Sequence, residues 1–421
     1  MDPNLRLAHP GLLKSDYRAF HAALHSLYQD DLLSLAATNS GHHFDDNAFF
    51  DAAGMVYNAG GFSASQLSTP QARQLIAETY KQLNTAIAAG IPHEVPETVR
   101  YALQNNAFIF SGFKAFHTLR EVGLSLTTDK GDIKPFEQFR HDVETINNRY
   151  NHNYLYAEYN HAVGASLMAA RWQQIQKDGD RYDLQYRTAQ DDHVREDHAI
   201  LHGTTLPPSD PFWSLYLPPN GWNCRCTAVQ VRKGKYPQSD PDLAMLRGNN
   251  CTEAAKQQIF RFNPGKDLKL FPPKHPYYKA PEDAGQVIED LHSEQEREYI
   301  AQRRREIRHA MADRIDEPLT NPHFSLSPHM SGASVKEFLN QPHKHLREKN
   351  ELLMDIKKVF YGAKYLGINP KYQKKGLKAS HIFAITVAGE PSWLVVREYE
   401  DGRCMLHSCS DNPKIATDLI K

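Results

Sequence analysis

The chain has 421 residues, 40% of them hydrophobic and 24% charged, with 49 Lys and Arg against 50 Asp and Glu. This balance excludes a wholly disordered or fibrous chain and a global nucleic-acid footprint, and the length predicts roughly two to four domains at ~150 residues each. No stretch approaches the ~20 apolar residues of a membrane-spanning helix, and five cysteines, two of them in Cys224-Arg225-Cys226, argue against a disulfide scaffold. The opening residues hold no basic patch followed by an apolar run, so no secretory signal is expected and folding in a reducing cytoplasm is.

The chain reads as an α+β multidomain protein. Residues 1–105 are expected to be helical, broken where Asn58-Ala59-Gly60-Gly61 collects turn formers. Thr69 and Pro70 predict a helix start, a hydroxyl cap followed by a residue with its φ already fixed, and Leu75, Ile76, Tyr80 and Leu83 follow at helical spacing. Further helices are predicted over 112–125, from Pro135 onward and over 155–175.

The pattern changes at Leu184. From there to Val231 the chain is dense in Pro, Gly, Trp and paired polar residues, with strand-like pieces LQYRTA and TAVQV at the ends. Such a segment needs local fasteners, because little regular pairing is available for its buried amides. Two readings of its chemistry stay open. In one, Arg187, Asp191 and Arg195, with His198, form a salt-bridged clamp and the cysteines are small buried fillers. In the other, Cys224 and Cys226 bite a soft cation, a structural zinc, with His198, His202, His193 or Asp191 completing the set. The Cys-x-Cys spacing is not that of a zinc knuckle, and no other cofactor is implied. The segment lacks a Gly-x-Ser-x-Gly elbow, a Walker loop and a His-Glu-x-x-His helix, so it is not read as an enzyme.

Residues 236–322 are expected to be a proline-rich connection, densest over 263–281, and a charged helix over 284–312. Residues 323–421 are expected to form a small α+β unit: a helix over 334–361, then strands HIFAITVA, WLVVREY and RCMLHS, turning at Gly389-Glu390-Pro391-Ser392 and Asp401-Gly402. Between Gln341 and Ser380 stand ten Lys or Arg against three Asp or Glu, which suggests a polyanionic partner for this unit.

The run RTAQDDHVREDHAILHG, followed by DPFWSLYLPPNGWNCRC, resembles the signature of the phage Mu F-like minor head proteins, the phage head morphogenesis family. The resemblance rests on Arg187, Thr188, Asp191, Val194, Arg195, His198, Gly203, Asp210 to Trp213, Pro218 to Trp222, Cys224 and Cys226. Glu196 stands where family members often have Pro. The likeness extends upstream to about Phe108, giving an expected head-morphogenesis domain at 106–235. It implies a low-copy structural component of a phage or prophage head, with portal and capsid proteins as partners. The chain would then be found in the virion and, during assembly, in the host cytoplasm.

The tail, from Ser380 to Lys414, more weakly resembles the phage nucleases grouped with barnase, EndoU, colicin and RelE toxins. That likeness implies metal-independent RNA cleavage, which needs a base for the 2′-hydroxyl, an acid for the leaving oxygen and cations for the phosphate. His381, Arg397, His407 and Ser410 are the catalytic candidates, and Lys374, Lys375, Lys378 and Lys414 the nucleic-acid-binding ones. Strand alternation sets Arg397 on a face with Trp393 and Val395, and His381 on a face with Phe383 and Ile385. Two readings of the whole chain stay open: an assembly protein with an RNase-like effector tail, or a purely structural protein whose tail is a non-catalytic module binding nucleic acid or protein.

Overall fold

A computed structural model describes residues 19–20, 22–24, 26–28, 44–92, 95–128, 130–370 and 376–420. They form two units, Met1–His292 and Ser293–Lys421.

Unit 1 is built on the helices Asp46–Ala59, Pro70–Gly90, Glu97–Leu124, Phe136–Asn147 and Leu155–Asp178. Thr69 caps its helix as expected, its Oγ1 accepting the Ala72 amide, and Gly60 closes the preceding helix in the left-handed conformation that Gly adopts at little cost. The helix expected at 112 begins fifteen residues earlier at Glu97, because no Gly or Pro between Glu97 and Ser111 interrupts it. It therefore runs through the boundary anticipated at 105/106.

After these helices comes a three-stranded antiparallel sheet of β1 (Tyr182–Arg187), β2 (Thr205–Leu206) and β3 (Thr227–Arg232), in the order β2-β1-β3. β1 faces β3 along its whole length, from Tyr182 opposite Arg232 to Arg187 opposite Thr227, and Leu184 pairs with Leu206 on the other side. Both expected strand pieces are present. The residues between them are packed on Trp213, Tyr216, Leu201 and Trp172, all buried.

The proline-rich stretch 263–281 is not a connection. Leu270, Phe271, His275 and Tyr277 are buried, the Phe271 ring stacks on Phe110 at 3.7 Å, and the amides of Leu270 and Phe271 both donate to Asn106 Oδ1. Prolines remove backbone donors, so this stretch can lie in a core with few amides left to satisfy. A helix, Glu282–Ala312, follows; its Ala284, Ile288 and Leu291 join the unit 1 core and its Ile307 and Met311 the unit 2 core.

His275 carries a pH dependence. Its Nδ1 accepts the Tyr277 amide at 3.2 Å, so the ring proton belongs on Nε2, 3.3 Å from Tyr28 Oη. Burial, helped by the nearby Lys114 ammonium, holds its pKa well below the ordinary imidazole value. The unfolded chain, with a His pKa of about 6.5, then binds the proton more readily than the folded one. Unit 1 is expected to lose stability as pH falls below ~6.5, at up to ~1.4 kcal/mol per pH unit for this group. Urea unfolding followed by circular dichroism should give a shallower acid slope for His275→Asn, which keeps an acceptor for the amide. Equal slopes would contradict the assignment.

Unit 2 holds an antiparallel meander of β4 (Lys364–Ile368), β5 (Leu377–Val387), β6 (Glu390–Tyr399) and β7 (Cys404–Ser410), in chain order. β4 is not anticipated from sequence, where Pro370 and Gly376 look like breakers; its Gly367 sits in a bulge with φ 137°. A Cβ there would lie 2.6 Å from the Ile420 carbonyl oxygen. The first turn lies at Ala388-Gly389, both at positive φ, and Pro391 belongs to β6. The helix expected over 334–361 is three short ones, Gly332–Asn340, Leu346–Glu351 and Ile356–Gly362. Pro342 disfavours helical backbone at Gln341, and Lys349, fully buried, donates its ammonium to the carbonyls of Phe338 and Gln341 where the first helix ends.

Candidate metal centre

The loop-rich segment of unit 1 is fastened by separate tethers. Asp191 is gripped by Arg225 through two bonds of 2.5 and 2.6 Å, Arg187 Nε donates to Gln185, and Arg195 Nη2 donates to the Trp222 carbonyl at 2.8 Å. The single clamp expected of Arg187, Asp191 and Arg195 is thus three attachments. The partner of Asp191 is Arg225, whose forked guanidinium matches a carboxylate. Tyr186, fully buried on β1, donates its hydroxyl to Asn220 at 2.9 Å.

These tethers bring two distant pieces of chain together. The four-residue helix Glu196–Ala199 carries His198, and the turn of Trp222 and Asn223, with Asn223 at φ 54°, leads through Cys224 and Cys226 into β3. His198 is buried, and its Nδ1 lies 3.6 Å from Cys224 Sγ and 3.7 Å from Cys226 Sγ. A third thiol, Cys251, fully buried at the end of the helix Pro241–Cys251, falls in a set with His198 and Asp197 whose ligand atoms lie within 4.8 Å of one another. His198 Nε2 is buried and makes no hydrogen bond among the described residues.

The imidazole and the thiols are electrostatically coupled. Burial alone would lower the His198 pKa, but the Cys224 thiolate beside it raises it to about 10. A hydrogen bond from Cys226 and the His198 imidazole hold Cys224 well below the ordinary thiol value, while Cys226, facing that thiolate, is pushed up. None of the three cysteines is in a disulfide. Of the ligands considered from sequence, only His198, Cys224 and Cys226 meet. His202 bonds to Thr188, His193 is exposed and Asp191 is taken by Arg225. Cys251 was missed; it lies 53 positions from His198 with no motif to mark it.

In unit 2 the catalytic candidates are divided. His381 is 5% exposed; its Nε2 faces Glu398 and its Nδ1 the Tyr365 hydroxyl, each at 3.1 Å, with the Phe324 ring 4.8 Å away. Burial lowers its pKa against the pull of Glu398. Phe383 and Ile385 pack in the core on its side, whereas Trp393 and Val395, which share a face with Arg397, pack in a separate cluster with Ile382 and Ile415. His381 and Arg397 therefore lie on opposite faces of the sheet. Arg397 is half-buried and opposes Ser380; Arg397 Nε and Ser380 Oγ are buried without partners among the described residues. His407 is half-buried, and Ser410 is buried, accepting the Asn412 amide.

Among the described residues, part of the basic segment is engaged. Lys344 pairs with Glu390, Arg347 with Glu296, Lys357 with Glu317 and Lys378 with Glu398, and Lys349 is buried. Lys414 is exposed, and Lys374 and Lys375 lie outside the described residues.

Residues 134–229 match the family model described as Phage Mu protein F like protein, and residues 298–407 match Large polyvalent protein-associated domain 3. The description of the second match names no nuclease. Over 69 residues the chain is 39% identical to "Putative capsid assembly protein F" of Escherichia phage Mu, an alignment covering 16% of this chain and 16% of the relative. No solved structure matches. Among the described residues no helix is long and apolar enough to cross a membrane.

Proposed function

We propose that this chain, which carries a Phage Mu F-like region over residues 134–229, is a minor structural protein of a phage or prophage head that acts in capsid assembly. The observation that carries this reading is the overlap of the Mu F-like match with the helix Leu155–Asp178, the sheet β1–β3 and the His198–Cys224–Cys226 cluster, so that the similarity covers a folded and internally tethered core. Its partners are then portal and capsid proteins, and its location the virion and, before that, the host cytoplasm. Deleting the gene from its phage should abolish or empty the particles, and the chain should be found in purified heads cross-linked to portal. Normal, infectious heads formed in its absence would refute the proposal.

For unit 2 we favour a non-catalytic module over an RNase-like effector. The His381–Glu398 pair is a feature an acid–base catalyst would use, but His381 is closed in, Arg397 lies across the sheet, and Lys344, Lys357 and Lys378 of the basic segment are in internal ion pairs. The full-length protein incubated with total RNA is expected to leave it intact. Cleavage that disappears in His381→Ala would restore the ribonuclease reading.

A further inference from the structure

We infer that a cavity of unit 1, beside Arg187 at the end of β1, binds the carboxylate of an acidic side chain on a partner protein. The cavity measures about 460 Å³, and its lining includes Gln185, Arg187, His202, Gly203, Thr205 and Tyr236. That volume lies in the ordinary range of ligand pockets.

Two of its donors are set in place by other side chains. Arg187 Nε donates to Gln185 Oε1, and Gln185 Nε2 in turn donates to Thr205 Oγ1, each at 3.1 Å. The guanidinium is thus held by one edge, and its two terminal nitrogens make no hydrogen bond among the described residues. Thr188, the next residue, donates its amide to His202 Nδ1 at 3.2 Å, and its hydroxyl lies 2.9 Å from the same nitrogen. A ring nitrogen that accepts an amide carries no proton, so neutral His202 keeps its N–H on Nε2, which also makes no hydrogen bond among the described residues. Donors already held in position lose little freedom when a ligand arrives.

The charge of the site decides what it takes. No Asp or Glu lines the cavity. The acids nearest to Arg187 along the chain are engaged elsewhere, Asp183 by Gln238 and Asp191 by Arg225. One guanidinium and one neutral imidazole present a single positive charge. A carboxylate matches that charge, and its two oxygens fit the fork of terminal guanidinium nitrogens; a phosphate monoester brings about two charges. Arg187 and His202 lie inside the Mu F-like match. The choice of a protein's acid over a free one rests on the head-assembly reading, under which the partners are proteins.

The test titrates the full-length protein, its histidine rings isotope-labelled for NMR, with acetyl-Ala-Glu-Ala-amide, its Gln counterpart, acetate and inorganic phosphate. The His202 ring signal is identified by its absence from His202→Gln. The Glu peptide should shift that signal saturably, about tenfold more tightly than the Gln peptide, the least that a charge-assisted pair is worth. It should also bind more tightly than acetate or phosphate. Arg187→Gln should make the two peptides equal while circular dichroism shows the fold retained. A His202 signal that no probe shifts overturns the site. Tighter binding of phosphate overturns the carboxylate, and acetate matching the Glu peptide overturns the protein ligand. If Arg187→Gln fails to fold, the ratio of the two peptides on the wild-type protein still decides, and a ratio near one contradicts the inference. None of these outcomes touches the head-assembly reading, which is tested on particles.

Discussion

Replacing Lys114 with methionine is expected to destabilise unit 1 by about 3–5 kcal/mol, the usual cost of leaving one charge of a buried pair alone. Lys114 on the helix Glu97–Leu124 and Glu158 on the helix Leu155–Asp178 meet at 2.5 Å, with side chains 1% and 0% exposed. Tyr28 donates its hydroxyl to the other Glu158 oxygen at 2.7 Å. Burial lowers the Lys114 pKa, opposed by the attraction of Glu158, so the ammonium relies on that carboxylate. Removing it strands a fully buried carboxylate. The double variant Lys114→Met with Glu158→Gln removes both charges and should recover much of the loss, since Tyr28 keeps a carbonyl acceptor. Urea unfolding followed by far-UV circular dichroism gives the numbers. A loss under about 1 kcal/mol, the range of exposed pairs, would mean that water reaches the site.

That pair also marks where sequence reading stops. Local signals were legible: the Thr69-Pro70 helix start, the Asp401-Gly402 turn, the alternation that groups His381 with Phe383 and Ile385 and Arg397 with Trp393 and Val395, and the strand pieces at either end of the loop-rich segment. Each depends on neighbours within a turn of chain, where spacing and backbone geometry decide. The misreadings involve residues that only folding brings together. Nothing near Asp191 says that its partner is Arg225 and not Arg187 or Arg195, because all three are arginines within reach along the chain. Cys251 has no spacing relation to Cys224 and Cys226, and meets His198 only because the helix Pro241–Cys251 packs against the short helix bearing it. The stretch 263–281 has linker composition, yet Phe271 and Tyr277 are anchored on Phe110, a contact that composition does not encode. β4 was hidden by the breakers that follow it, Pro370 and Gly376, and by the glycine its bulge holds at φ 137°.

Trp222→Ala should be as damaging as Lys114→Met, at about 3–5 kcal/mol, the range for emptying a buried aromatic site. Trp222 is 1% exposed; its ring stacks on Tyr28 at 4.9 Å and meets the edges of Phe260 and His161 at 5.1 Å each. Several elements of unit 1 thus converge on one side chain, so the cavity cannot close by moving a single neighbour. The indole Nε1 is buried and makes no hydrogen bond among the described residues. Trp222→Phe removes that unsatisfied donor as well as part of the volume, and should cost clearly less than its lost area alone suggests. The comparison separates ring packing from backbone tethering, because Arg195 holds the Trp222 carbonyl in either variant. Trp222 lies two residues before Cys224, so the alanine variant should also loosen the turn that presents both cysteines to His198. Its thiols should react with a disulfide reagent at an unfolding-independent rate well above that of Trp222→Phe. Equal stability and equal thiol reactivity in the two variants would show that the loop-rich segment is held by its polar tethers alone.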